Sequence, residues 1–388
     1  MGEEKQTALP ASPTLRPVKR PHYLRRGLCI LATIAVLAQL FLAHHYFSIN
    51  LQPWNHSQHA ANSTLGFSAI YAVSRKDSPR RHSLMSAASL TNLDITIPIQ
   101  PNWTENDITK IKAPTNSNLN RGSVLAWLGH RNVLEIFLQS TGETALIMED
   151  DVDWDVRLRQ DQIPQTAYAI RELLGSHYGG YYGHTNNWDI IWLGHCGDYF
   201  NASRGSGLST IKSYHDSAMP DFDKLHPWTR DFMHGIGANQ NKQRLVHESV
   251  SPLCTFAYAI TRAAAKRVLN EIAVSEPVRD LDRPCKAYDV RLLEGCRDEG
   301  LRCITVNPEL FHHSTAASEI AQVSDDPNSQ SAEQNKEPVD SPANNIRCSA
   351  RSRKWREIQE SIADPSINAE IFVRELAEHS PHCYIDDL

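Results

Sequence analysis

Little in this chain of 388 residues points to nucleic acid, zinc or a fibre. Its 39 basic residues are outnumbered by 45 acidic ones, a net charge of −6, so no bulk charge calls for a phosphate backbone as partner. Only 18 glycines exclude a collagen-like chain, and 41% hydrophobic against 22% charged excludes disorder throughout or an all-membrane protein. No cysteine stands in C-x-x-C or C-x-x-H spacing, which removes the common zinc sites. No internal repeat is visible. What remains is length enough for one large domain, or two ordinary ones, with a real core.

The charge is unevenly spread. Residues 1–26 hold Lys5, Arg16, Lys19, Arg20, Arg25 and Arg26 against Glu3 and Glu4, so a tail of +4 leaves the rest at −10. The tail leads into 27–43, seventeen residues without a charge, followed by His44, His45, Tyr46 and Phe47. A helix of that length rises ~25 Å, enough to cross a thin bilayer. A cleaved signal peptide has the same order, but its apolar core is usually ~7–15 residues and a small-x-small site follows it, which is lacking here. The expectation is a cytosolic tail at 1–26, a transmembrane signal anchor at 27–47 and a lumenal body, oriented by the positive-inside rule. Four sequons, at Asn55, Asn62, Asn102 and Asn201, lie on the lumenal side. Cys29 falls in the span and seven cysteines follow it, so no more than three bridges form within the chain in an oxidising compartment.

Composition divides the body. Residues 48–66 read as a polar stem, 67–313 as an α/β domain in which apolar runs alternate with helical patterns, 314–345 as a polar, disordered loop, and 346–388 as a helical extension. Phe67–Val73 reads as a first strand before a polar loop. Residues 121–139 read as a helix with Ala126, His130, Val133, Leu134 and Phe137 on one stripe. His130 therefore faces the core side, where a histidine is commonly a hydrogen-bonded structural residue. Ala145–Met148 is a continuous apolar run suited to a buried parallel strand. Glu149, Asp150, Asp151, Asp153 and Asp155 then place five carboxylates in seven residues, at the strand end where α/β sheets bind ligands. Packed like charges repel and raise one another's pKa unless a cation offsets them, and all-oxygen ligation selects Mg2+, Mn2+ or Ca2+. A solvated acidic loop is the plainer reading.

Gly122-Ser-Val-Leu-Ala-Trp-Leu-Gly-His-Arg131 followed by Ala145-Leu-Ile-Met-Glu-Asp-Asp-Val152 resembles the signature of glycosyltransferase family 25, which includes lipopolysaccharide and procollagen galactosyltransferases and many fungal members. Further segments are similar in order: Ile70–Val73 with Arg80 and Arg81, Trp188–Gly197, Thr255–Arg262, Tyr288–Leu292 and Pro308–His313, with Asn345–Arg351 similar to a late fungal segment. The resemblance covers about 67–313. It implies a GT-A-like nucleotide-diphosphosugar transferase fold, behind the anchor, and inverting transfer of a sugar, galactose by expectation, from a UDP-sugar donor to a glycan or glycoprotein acceptor.

The resemblance also implies roles. Glu149, Asp151, Asp153 and His313 are expected to hold Mn2+ or Mg2+, with Asp151 as principal ligand. Arg80, Arg81, Asp150 and His130 are expected at the donor, the arginines on its phosphates. Asp289 is the first choice for the base that deprotonates the acceptor and Asp282 the second; a helix-starting acid is the plainer reading of Asp289. Asp198 is a candidate for reaching the acceptor, and the stretch from Tyr199 to Ser249 for recognising it. Ser74-Arg75 departs from the Asn-Leu with which the family's first strand normally ends. The sequence closes on Ile385-Asp-Asp-Leu388 without an ER-retention tetrapeptide, so the expected residence is the Golgi membrane. The main alternative is a catalytically inactive glycan-binding relative; a hydrolase with two separated acids fits less well, because the acids here are clustered.

Overall fold

The computed structural model describes residues 60–176, 179–200, 211–239, 242–278, 287–314, 323, 343–379 and 383. The expected tail, the anchor at 27–47, most of the stem, Asp282 and nearly all of the 314–345 loop lie outside them. Among the described residues no helix is long and apolar enough to cross a membrane.

Eight strands form one mixed sheet. In chain order they are β1 (Ala69–Val73), β2 (Ile95–Thr96), β3 (Thr144–Glu149), β5 (Ile190–Gly194), β6 (Lys212–His215), β7 (Gln243–Glu248), β8 (Ala257–Thr261) and β9 (Cys303–Asn307), and across the sheet they lie β2-β1-β3-β8-β5-β9-β7-β6. Six run one way, while β8 and β7 run against them. The expected buried strand at 145–148 is thus parallel to β1 but antiparallel to β8. A second ladder pairs β4 (Val152–Trp154) with β10 (Phe311–His313). Gly194 permits the crossing of β10 over the end of β5: a Cβ there would meet the Phe311 Cβ and carbonyl oxygen at 2.8 Å.

Helices cover both faces, which is why the central strands read as continuous apolar runs rather than alternating ones. Along β3 the period-2 geometry sends Leu146 and Met148 to one side and Ala145 and Ile147 to the other. The first side packs on α1 (Arg81–Leu90), α4 (Ile163–Leu174), α8 (Arg353–Ser361) and α9 (Ala369–His379), through Leu84, Ile170, Trp355 and Val373. The second packs on α2 (Glu105–Ile111), α3 (Arg121–Gln139), α6 (Arg262–Arg267) and α7 (Tyr288–Arg297), through Ile108, Trp127, Ala265 and Leu292. Each fully buried Leu or Ile contributes ~1.5–3 kcal/mol by leaving water. α5 (Pro227–Gly235) lies in the stretch expected to be an acceptor-recognising insert. That stretch also supplies β6 and β7, so part of it extends the sheet.

The expected helix at 121–139 is α3. Asn120 caps it by accepting from the Ser123 N–H at 2.7 Å. Asn120→Ala is expected to cost about 1 kcal/mol of unfolding free energy; an unchanged urea midpoint would show that the cap contributes nothing.

The packed body begins before Phe67 and continues past His313. Ala61 and Leu65 are buried in the core, and Trp355, Val373 and Cys383 join it from the C-terminal side. Three disulfides, Cys196–Cys254, Cys296–Cys303 and Cys348–Cys383, reach the expected maximum and suit an oxidising compartment. Asn62 and Asn102 are both exposed, as glycan acceptors must be.

Candidate functional site

The acidic motif sits where β3 ends, with β1 on one flank and β8 on the other. Glu149 closes the strand and accepts from the Thr255 hydroxyl at 2.8 Å, and His130 Nε2 lies 3.7 Å from the same oxygen. Burial pushes the Glu149 carboxyl up, but the bond and charge of His130, followed by the Thr255 bond, hold it below its ordinary value. His130 itself is buried, stacked on Tyr288 at 4.8 Å. It backs Glu149 from beneath, as a core histidine would, and does not lie on an open donor surface.

Asp150 and Asp151 turn toward the loop after β1. Ser74 donates to Asp150 at 2.5 Å, and Arg81 donates to the Ser74 hydroxyl at 3.0 Å and to its carbonyl at 2.9 Å. Arg80 pairs with Asp151 at 2.9 Å and lies 3.6 Å from Asp150. Both expected phosphate-binding arginines are therefore tied to the acidic motif and its supporting serine. The other oxygen of Asp151, Oδ1, is buried with no hydrogen-bond partner among the described residues. Burial, then the charge of Glu149, outweigh Arg80 and push the Asp151 carboxyl up to about 7.

Asp153 and Asp155 do something else. Asp153 Oδ1 accepts from the N–H groups of Trp154 at 2.8 Å and Arg351 at 3.3 Å. Asp155 accepts from the N–H groups of Arg157 at 2.9 Å and Cys348 at 2.8 Å. These carboxylates fasten the C-terminal segment to β4, so Asp153, in Asp-x-Asp spacing with Asp151, spends an oxygen on backbone N–H groups. Arg351 completes the tie. It donates to the carbonyls of Asp150 at 2.8 Å, Val152 at 2.9 Å and Arg80 at 3.1 Å, and to the Ser83 hydroxyl at 2.6 Å.

On the far flank, Asp289 stands in the first turn of α7. It accepts from the Cys254 N–H at 3.0 Å and the Val290 N–H at 2.9 Å, so it is a helix-starting acid as well as a neighbour of Glu149. Burial, and then the Glu149 charge, raise its carboxyl above the ordinary range despite those two bonds. His313 is half-buried on β10; its Nδ1 bonds the Ser314 carbonyl oxygen at 2.9 Å, and burial, then His312, lower its pKa. The Ser314 N–H in turn donates to the Asp151 carbonyl at 2.8 Å.

No protein-family model matches this sequence, and no curated protein matches it. Among solved structures, a chain described as "Crystal Structure of A197 from STIV" is similar over 64% of this chain and 85% of its own length, at 10% identity and a TM-score of 0.31. A likeness of that size carries no argument about what the chain does.

Among the described residues no group of three or more His, Cys, Asp or Glu side chains is arranged to hold a metal ion. That leaves a poorer fit to a protein cage than to a magnesium-type site, in which one or two carboxylates hold the ion and substrate phosphates and water complete its shell. The bare Oδ1 of Asp151 is suited to such a role, with Glu149 on the preceding strand end. Part of the counter-charge expected from a divalent cation comes from Arg80 and Arg351.

Sequence reasoning missed Ser74, Thr255 and Arg351 as parts of this site. The Ser74-Arg75 departure marked the first, and the Thr255–Arg262 and Asn345–Arg351 resemblances contained the others without giving them roles. Asp198 is corrected too. It is fully buried, accepts from the N–H groups of Val250 and Ser251 and from the Thr305 hydroxyl at 2.7 Å, and is not free to meet an acceptor.

Proposed function

We propose that this chain is a metal-dependent, inverting glycosyltransferase of GT-A-like fold and family 25 type, using a UDP-sugar donor and a glycan or glycoprotein acceptor on the lumenal side of the Golgi membrane. The observation that carries the reading is the unpartnered, buried Asp151 oxygen at the carboxyl end of a central strand, beside Glu149, whose charge also acts on the partly buried carboxylate of Asp289. Asp151 and Glu149 would hold Mn2+ or Mg2+, which supplies charge to a leaving diphosphate when bound.

Asp289 takes the proton of the acceptor hydroxyl. The freed oxygen forms its bond to the sugar's anomeric carbon as the bond from that carbon to the diphosphate breaks, and the leaving UDP keeps the electron pair. A raised pKa suits the role, since a carboxylate that binds its proton more tightly is a stronger base. Arg80 holds the acidic loop in register through Asp151, and Ser74 with Arg81 holds Asp150.

One observation favours the catalytically silent glycan-binding alternative: Arg80 already engages Asp151. Incubation of the purified protein with a panel of UDP-sugars and Mn2+ separates the two readings by UDP release. Metal-dependent release from one donor supports transfer, whereas glycan binding without turnover of any donor overturns it. Asp289→Asn is expected to lower kcat by ~10²–10⁴-fold with little change in donor KM, the span typical of a lost general base. Unchanged kcat would remove Asp289 from the role.

A further inference from the structure

Three consecutive residues before β8 each hold a part of the candidate site. The Cys254 N–H donates to Asp289 Oδ2 at 3.0 Å. The Thr255 hydroxyl donates to Glu149 at 2.8 Å and lies 3.4 Å from His130 Nε2. The Phe256 carbonyl accepts from the Glu149 N–H at 2.9 Å, and its ring packs on those of His312 and His313. Glu149 and Asp289 stand on different elements, β3 and α7, and residues 254–256 touch both. Cys254 itself has φ +67°, a left-handed backbone that a non-glycine residue rarely holds unless its surroundings impose it. The constraint comes from the end of β5. The Cys196 N–H donates to the Leu253 carbonyl at 2.8 Å, the Leu253 N–H donates to the Gly197 carbonyl at 3.2 Å, and the Cys196–Cys254 disulfide closes the same junction. A strained residue is thus fastened where its N–H meets the candidate base and its neighbour meets the candidate metal holder.

We propose that residues 253–256, pinned by the Cys196–Cys254 bridge, are a positioning element that fixes Glu149 and Asp289 relative to each other for the transfer. The inference rests on the reading of Glu149 as a metal holder and Asp289 as the acceptor's base. Displacement at the anomeric carbon needs the base and the leaving diphosphate on opposite faces, and a misplacement of about 1 Å can cost on the order of a hundredfold in rate. Without the bridge Cys254 is released from the left-handed region, and rotation there carries its own N–H away from Asp289 and the Thr255 hydroxyl away from Glu149 together.

The double variant Cys196→Ser/Cys254→Ser of the full-length protein tests it. Far-UV circular dichroism is expected to match wild type, while amide hydrogen exchange in a peptide spanning 253–256 accelerates at least tenfold. At saturating donor and Mn2+, kcat for UDP release is expected to fall at least tenfold, and the Mn2+ concentration for half-maximal rate to rise at least fivefold. A smaller folded fraction would lower kcat but leave that concentration where it was. Thr255→Val keeps the bridge and removes only the hydroxyl; it is expected to raise the half-maximal Mn2+ concentration at least fivefold, and it decides alone if the serine variant does not fold. Wild-type exchange, kcat or Mn2+ requirement in the folded serine variant, or an unaltered Mn2+ requirement in Thr255→Val, would overturn the positioning role while leaving transfer in place. A wild type that releases no UDP from any donor would overturn the reading beneath it as well.

Discussion

Asp151→Asn is expected to lower metal-dependent UDP release by on the order of a hundredfold or more. Charge stabilisation by a bound ion is worth several kcal/mol, and each ~1.4 kcal/mol is tenfold in rate. Asparagine keeps the size of the side chain but offers the ion a neutral oxygen. The same change is expected to stabilise the metal-free protein at neutral and alkaline pH. The Asp151 carboxyl is pushed up to about 7 from an ordinary value of 3.8. Between those values the folded protein binds the proton more tightly than the unfolded chain, so this group's contribution to stability falls as pH rises from about 4 through 7. Above that window the wild type carries the whole cost of an ionised, buried carboxylate, and asparagine carries none. Arg80 keeps Asp150 as a neighbour at 3.6 Å in the variant. In EDTA the melting temperature of Asp151→Asn should therefore exceed that of wild type at pH 8, with the gap closing toward pH 4. A variant less stable than wild type at pH 8 would mean that Arg80 depends on Asp151 more than burial opposes it.

Arg351→Met is expected to be the most destabilising single change near the site, at about 3–5 kcal/mol, the cost typical of breaking a buried charged network. It strips donors from the carbonyls of Asp150, Val152 and Arg80 and from Ser83 together, while removing positive charge that offsets Asp151 and Asp153. Arg351→Lys should recover only part of the loss, because a lysine keeps the charge but cannot reproduce a planar fork with several directed N–H groups. Urea unfolding followed by tryptophan fluorescence reads both. A fall of less than 1 kcal/mol in the methionine variant would show that the C-terminal segment is held by Trp355 and the Cys348–Cys383 bridge without it. These two variants also separate roles: the first is expected to lose turnover while keeping the fold, and the second to loosen the fold on which the acidic loop depends.

Periodicity alone placed α3 at 121–139 and the buried strand at the acidic motif, because both depend on short-range geometry: 3.6 residues per turn for one, and a continuous apolar run between turn-forming residues for the other. The same local reading found Glu149, Asp150 and Asp151 at a strand's carboxyl end. It could not tell Asp151 from Asp153, which differ by two positions in sequence and by everything in their surroundings. One keeps a bare oxygen beside Glu149, and the other is spent on the backbone of residues nearly two hundred positions away. Likewise the carboxylate density suggested a cation as counter-charge, since an arginine supplied from the far end of the chain leaves no mark near the motif.

By itself, then, the sequence determined the α/β class, the strand and helix that frame the acidic motif, and the upper limit of three bridges, all of which follow from local pattern and counting. Tertiary structure alone decided which carboxylates are structural, that His130 backs Glu149, and that Arg80 and Arg351 offset part of the acids' charge. The reason is physical: hydrogen bonding and charge compensation act through space over a few ångströms, and only the folded chain brings Ser74, Glu149, Thr255, Asp289 and Arg351 within that range.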